Sequence, residues 1–355
     1  PWAAVPGDTQ REKYEAIEPG RKGLAIFDVT DEDLRDDNLG TPFLWGAISN
    51  RESDWDSTTF TVDSIQSIMK DRITVREGKF VNGKSKDNIN FHHMTMRGIA
   101  SEVGYLCTNA KPGGELPVDW SYRGEQHRTT GAEGDMVHER NYPAYNVSNQ
   151  SGGDIFDKLA AVQDGVDMTF RPYLTADGMH VRNAFIAATD EEQYLGQKNV
   201  YSFSCFPGGG TFEKVHVAYA QPYQRVYQTG AGDDSEVLTA LSEDLSLVSR
   251  SNPYMLREKT FSDTDIDKLP LLKATADGHL DSLKTPYMQI SGEFHANDAN
   301  TPRLGLLWPG EVAELSLQGY PDLPDGVYTL RIMNMSGDET DLVKVIFDVM
   351  PNPYF

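Results

Sequence analysis

The alternation of apolar and polar positions is clearest from residue 151 onward. Ser151-Gly-Gly-Asp opens with turn residues, and Ile155, Phe156, Leu159 and Val162 then recur at helical spacing, with Asp154 as a cap or first-turn acid. Val166–Tyr173 alternates as a strand, Leu174-Thr-Ala-Asp-Gly178 turns, and Met179–Phe185 alternates again. Helix, strand, Asp-Gly hairpin and strand follow. Val200–Phe206 and Lys214–Tyr219 predict two more strands around Pro207-Gly-Gly-Gly210. Ser262-Asp-Thr-Asp265 predicts a helix start leading through Ile266, Leu269, Leu272, Leu280 and Leu283, with Pro270 breaking or kinking its early part. The tail is strongly β. Tyr287–Phe294, Val312–Leu317, Val327–Asn334 and Asp341–Val349 are separated by Pro309-Gly-Glu311 and Pro324-Asp-Gly326 turns, which predicts a small antiparallel barrel.

The first 150 residues are less regular. Residues 1–20 are polar and punctuated by Pro6, Gly7, Pro19 and Gly20, so they read as an arm. Leu24–Phe27 is a short apolar run, and Thr30 before Asp31, Glu32 and Asp33 marks a helix N-terminus. Thr58–Val81 predicts strand, helical turn and a second strand at Ile73–Val75. Phe91–Met96 predicts a further strand. Lys111–Gln150, rich in Gly and charge, predicts an irregular excursion. No internal repeat of fixed period is present.

At 355 residues the chain exceeds the roughly 250–300 at which one core stops growing. The fold class expected is α+β, β-rich and multi-domain, divided at 1–20, 21–110, 111–150, 151–285 and 286–355. No stretch nears the roughly 20 apolar residues of a membrane span, and the N-terminal residues lack the pattern of a secretory signal. With 32 basic against 54 acidic residues the net charge is −22, which repels phosphate backbones, and nothing in it suggests a nucleic-acid-binding stripe.

Candidate chemistry is thin. Cys107 and Cys205 form no CxxC pair and read as free thiols. The acids at 31–33 lack the ligand order of a calcium loop. Neighbouring His92 and His93 point to opposite faces of a strand. His127, Glu133, Asp135 and His138 match no ligand spacing. The 207–210 glycines lack the Lys-Ser/Thr of a phosphate loop, and Asp277-Gly-His279 reads as a turn within or after a helix. There is no H-E-x-x-H or G-x-S-x-G, so no catalytic, cofactor-binding or metal residue is assigned and no cofactor is expected. Trp45, Trp55 and Trp120, near Asp and Asn residues, could stack on sugars, whereas tryptophans more often fill cores.

One order of pieces is informative. Phe156-Asp-Lys-Leu159, the strand to Tyr173, Asp177-Gly178, the strand to Phe185, then Pro309-Gly310-Glu311-Val312 and Asp325-Gly326-Val327-Tyr328-Thr329-Leu330-Arg331-Ile332 follow in sequence. This order resembles the tail-tip (baseplate) hub and minor tail proteins of actinobacterial siphophages, over about the C-terminal 200 residues. The resemblance implies a structural virion protein: two tube-like barrel domains (21–110 and 286–355) and a mixed hub domain (151–285). It further implies a homotrimeric ring around the DNA channel, in contact with distal tail ring, tape measure and receptor-binding or central fibre proteins. DNA would pass without specific binding, a passage the acidic balance suits. The 111–150 excursion has no counterpart in that pattern. A carbohydrate-binding adhesin and a tail-associated hydrolase are the competing expectations.

Overall fold

The computed structural model describes residues 4–126, 138–161, 165–196, 199–264, 266–338 and 340–353. The chain forms two compact units, one of Pro1–Gln197 with Arg303–Gly310, the other of Lys198–Pro302 with Glu311–Phe355. Both mix short helices with small sheets, so the protein is β-rich, α+β and multi-domain.

In the first unit the polar arm contains a helix, α1 (Gln10–Ala16). Thr9 and Glu12 cap it reciprocally, and it buries no residue, so no apolar face announced it. Strand β1 (Gly23–Asp28) and helix α2 (Asp31–Arg35), capped by Thr30, come next. Strands β2 (Thr41–Ser53) and β3 (Thr58–Asp63) complete an antiparallel sheet ordered β1-β2-β3. Helix α3 (Ile65–Lys70) follows its Ser64 cap. The strand expected at Ile73–Val75 is absent: Ile73 makes a single isolated bridge to Ser151. The strand expected over 91–96 stops early. Strand β4 (Asn88–His92) ends where His93 takes φ 57°, and Thr95 then caps a buried helix, α4 (Met96–Cys107).

Strand β5 (Val118–Asp119) places Val118 and Trp120 in the core, so the described part of the 111–150 segment is not simply a solvated loop. Strand β6 (Glu139–Pro143) pairs with β4. Helix α5 (Gly152–Ala161) buries Ile155, Phe156 and Leu159, as its spacing predicts, and Ser151 accepts the N–H of Asp154 at its start. Strands β7 (Met168–Leu174) and β8 (Val181–Ala187) form the expected hairpin, with Asp177 accepting the Met179 N–H in its turn. Phe185, fully buried, is the hub of an aromatic cluster. Its ring lies 5.3 Å from Trp120, 5.4 Å from Phe170 and 5.9 Å from Phe156.

The second unit holds β9 (Val200–Phe206), β10 (Gly209–Gly210), β11 (Glu213–Ala220), β12 (Arg225–Thr229), β13 (Thr239–Glu243) and β14 (Glu258–Ser262). Helix α6 (Leu269–Leu283) and strands β15 (Tyr287–His295), β16 (Val312–Leu317), β17 (Gly326–Gly337) and β18 (Leu342–Pro351) complete it. The four C-terminal strands appear where the alternation places them, but they do not close a barrel alone. They join β9, β10 and β11 in a curled seven-stranded sheet ordered β10-β9-β16-β17-β18-β15-β11, with β9 parallel to β16. Phe203, Phe212, Phe294 and Phe347 are buried and pack ring to ring in its core. A second sheet, β13-β12-β14, packs Val226 against Ala276 and Leu280 of α6. That helix starts at Leu269 and not at Ser262, which ends β14. Pro270 sits in its first turn, where a missing N–H costs nothing. Among the described residues no helix is long and apolar enough to cross a membrane.

Candidate functional site

The residues singled out by sequence are dispersed by the fold. His92 is exposed at the end of β4 with Nδ1 3.4 Å from Glu139. His138 is buried, its Nε2 3.4 Å from Asp190. Asp190 also accepts the N–H of Met96 at the start of α4. His127, Glu133 and Asp135 lie outside the described residues. Thr30 and Asp33 are spent on capping α2, and the Thr30 hydroxyl holds the Asp33 carboxyl below its usual range. Asp277-Gly-His279 is neither a turn nor a helix end but the middle of α6. Asp277 accepts the Ser242 hydroxyl at 2.6 Å, and the His279 ring stacks on Phe261 at 4.0 Å. Pro207 and Gly208 turn β9 into the short strand β10, with Gly208 and Gly210 at φ 88° and 118°. Cys107 is buried with Sγ 3.2 Å from the Thr74 hydroxyl, and burial pushes its thiol pKa up. Among the described residues no three His, Cys, Asp or Glu side chains gather as metal ligands.

The three tryptophans part company. Trp120 is a core residue whose indole N–H donates to Thr108 Oγ1 at 3.0 Å, and Trp45 packs on the same core. Trp55 is 102% exposed at the tip of the β2–β3 hairpin. That tip is tightly tied. The Asp54 N–H donates to Ser57 O, Asp54 Oδ1 accepts the N–H groups of Asp56 and Ser57 at 2.8 and 2.6 Å, and Oδ2 accepts the Ser57 hydroxyl. The Ser57 and Asp56 amides hold the Asp54 carboxyl below its usual range.

Residues 76–87 make a contrasting surface. Phe80 and Val81 are each 51% exposed, and Ser85 Oγ ties the loop by bonding both the N–H and the carbonyl of Val81. Phe80, Val75, Ile89 and Tyr142 line a shallow surface depression.

The last two segments of the family resemblance form one hairpin. Strands β16 and β17 pair from Val312↔Arg331 to Leu317↔Gly326, and the Glu311 carbonyl accepts the Ile332 N–H at 2.8 Å. At its tip Asp325 accepts the Gly319 N–H at 2.6 Å, and the Tyr328 hydroxyl donates to Pro324 O at 2.6 Å. Leu315, Leu317, Leu330 and Ile332 are buried while Val327 faces out. The Asp-Gly-x-Tyr pattern is therefore a turn device and the alternation behind it a sheet wall.

No protein-family profile and no curated protein matches this sequence. Several solved structures are similar at low identity. The tail protein of prophage MuSo2 from Shewanella oneidensis is 11% identical over 94% of this chain and 85% of its own, with a TM-score of 0.49. A tail protein from Neisseria meningitidis MC58 is 12% identical over 86% of this chain and 80% of its own, with a TM-score of 0.41. The prophage tail protein gp18 of Listeria monocytogenes EGD-e is 9% identical over 93% and 84%, with a TM-score of 0.39.

Proposed function

We propose that this chain is a non-enzymatic structural component of a bacteriophage tail tip. In this proposal it is a hub subunit of the siphophage minor tail protein type, three copies of which form a ring around the DNA channel. The ring would join the tail tube to the distal tail proteins and reside in the virion. The observation that carries the proposal is the β16–β17 hairpin. The Pro-Gly-Glu and Asp-Gly-x-Tyr segments form consecutive antiparallel strands of the curled sheet, which supports the reading. That sheet ends on β11, an eight-residue strand whose outer edge offers backbone groups to another chain. The acidic balance of −22 suits a wall along which a polyanion slides. With Trp120 buried and Trp45 packed against the same core, Trp55 is the one of the three fully displayed for the adhesin alternative.

The test is the mass of the native protein in solution across micromolar concentrations, together with its detection in purified virions. Three copies per particle is the expected result. A stable monomer at high concentration that is missing from virions overturns the proposal. Turnover of cell-wall material by the purified protein overturns its non-enzymatic part.

A further inference from the structure

A tryptophan wholly in solvent contributes nothing to its own fold, and tryptophans are on average highly buried. Trp55 is also presented on a hairpin tip fixed by four hydrogen bonds from and to Asp54, so little conformational freedom remains to be lost on binding. Its setting is acidic: Glu52, Asp54 and Asp56 surround it, and the nearby Arg51 is engaged over the ring of Tyr14 at 4.5 Å. A partner must therefore offer an apolar seat with cations at its rim.

The same chain carries such a seat. Residues 76–86 hold Arg76, Lys79, Lys84 and Lys86 against the single acid Glu77, an unusual concentration in a chain of net −22. Arg76 is paired with Asp87 at 2.8 Å, but Lys79, Lys84 and Lys86 are exposed with no acidic partner among the described residues. Between them in sequence sit the half-exposed Phe80 and Val81, an apolar pair at the surface. We infer that Trp55 at the hairpin tip of one copy seats on the Phe80–Val81 loop of a second copy, with Glu52 and Asp56 facing its lysines. Tip and seat are different surfaces, so the contact is head-to-tail and closes into a ring when the rotation permits. A sugar is the poorer occupant. The tip is convex, and both Asp54 oxygens are already occupied by the turn. The inference supplies one contact for the ring proposed above and rests on that proposal.

The test uses the full chain. Wild type and Trp55→Ala are compared by native mass and sedimentation across concentration. Glu52→Lys/Asp56→Lys, Lys84→Glu/Lys86→Glu and the combination of all four changes are measured alongside. Trp55→Ala is expected to keep the wild-type melting temperature and to weaken self-association at least about tenfold, as truncation of an interface anchor does. Each charge pair alone weakens it, and the combination restores it. In a Cys205→Ser background, mixing Trp55→Cys with Phe80→Cys under oxidation gives an inter-chain disulfide that neither forms alone. A wild-type trimer unaffected by Trp55→Ala, with no cross-link in the mixture, overturns this contact and leaves the ring standing. A wild-type monomer overturns both. Glycan binding lost on Trp55→Ala with self-association intact overturns the contact in favour of a sugar.

Discussion

Two glycines in helix interiors should respond to alanine with opposite signs. Gly104 lies inside α4 and Gly278 inside α6. By intrinsic propensity, either replacement stabilises a helix by about 1 kcal/mol. At Gly278 nothing lies within 4 Å of an added Cβ, so that gain should appear at close to full size. At Gly104 a Cβ falls closer than 3.0 Å to ring carbons of Trp120. The indole cannot retreat. Its N–H is bonded to Thr108, and Phe156, Phe170 and Phe185 crowd its faces and edges at 5.3 to 6.1 Å. Overpacking a close-packed core costs about 1–3 kcal/mol, and the upper half of that range applies where the neighbour is locked. Set against the propensity gain, Gly104→Ala should destabilise the first unit by about 1–2 kcal/mol, or lower its melting temperature by about 2–8 °C for a domain of this size. The two units can be followed separately. The four tryptophans among the described residues, at positions 45, 55, 120 and 308, belong to the first, so tryptophan fluorescence reports its unfolding and hydrogen exchange on α6 amides reports the second. A fluorescence transition that rises for Gly104→Ala, or that moves as slowly exchanging α6 does for Gly278→Ala, refutes the packing account.

Phe185→Ala should remove the hub of the aromatic cluster and cost about 3–5 kcal/mol in the fluorescence-monitored transition, and a loss under 1 kcal/mol would show that the rings repack. His295 should make the second unit pH-sensitive. Its hydrogen bond to Asp341, with Glu213 on the other ring nitrogen, holds its pKa above the ordinary value of 6.5. A raised folded pKa means the stabilisation is fully present below the unfolded value and is lost as pH rises through the folded one. The stability difference between wild type and His295→Gln should therefore shrink from about pH 6.5 upward, and a flat difference in denaturant titrations across that range refutes it. Tyr328→Phe should loosen the β16–β17 turn by about 1 kcal/mol through loss of its bond to Pro324, measured as faster exchange of the Gly319 and Gly326 amides.

What could be read from sequence was local periodicity backed by turn chemistry. The 151–185 helix and hairpin and the four C-terminal strands were legible because one face of each is buried and an Asp-Gly or Pro-Gly turn divides them. Helix α4 was not, since Gly98, Gly104 and Ser101 dilute its apolar pattern. They are there because neighbours approach closely: a Cβ on Gly98 would meet Glu125 O, and one on Gly104 would meet Trp120. Pro270 reads as a breaker within a helix when the start signal is placed at Ser262. The backbone there is instead paired with β12, and the helix begins only where the proline is harmless. Sheet membership was also out of reach. The parallel pairing of β9 with β16 joins residues more than a hundred positions apart, and neither strand's alternation encodes its neighbour.

The candidate site was illegible for a different reason. Trp55 and Trp120 both follow an aspartate in polar sequence, Asp54-Trp55-Asp56 and Asp119-Trp120-Ser121, yet one is displayed to solvent and the other lies in the core. That exposure follows from the hairpin: Asp54 spends its carboxylate on the turn, which leaves the next side chain with no backbone of its own to pack on. In the same way, Lys79, Lys84 and Lys86 gain meaning only once Arg76 is seen to hold Asp87, removing the acid that would otherwise neutralise them. Both surfaces thus become available through interactions one residue away from them. A sequence scan for ligand motifs passes over such sites, because their chemistry lies in what their neighbours have already used.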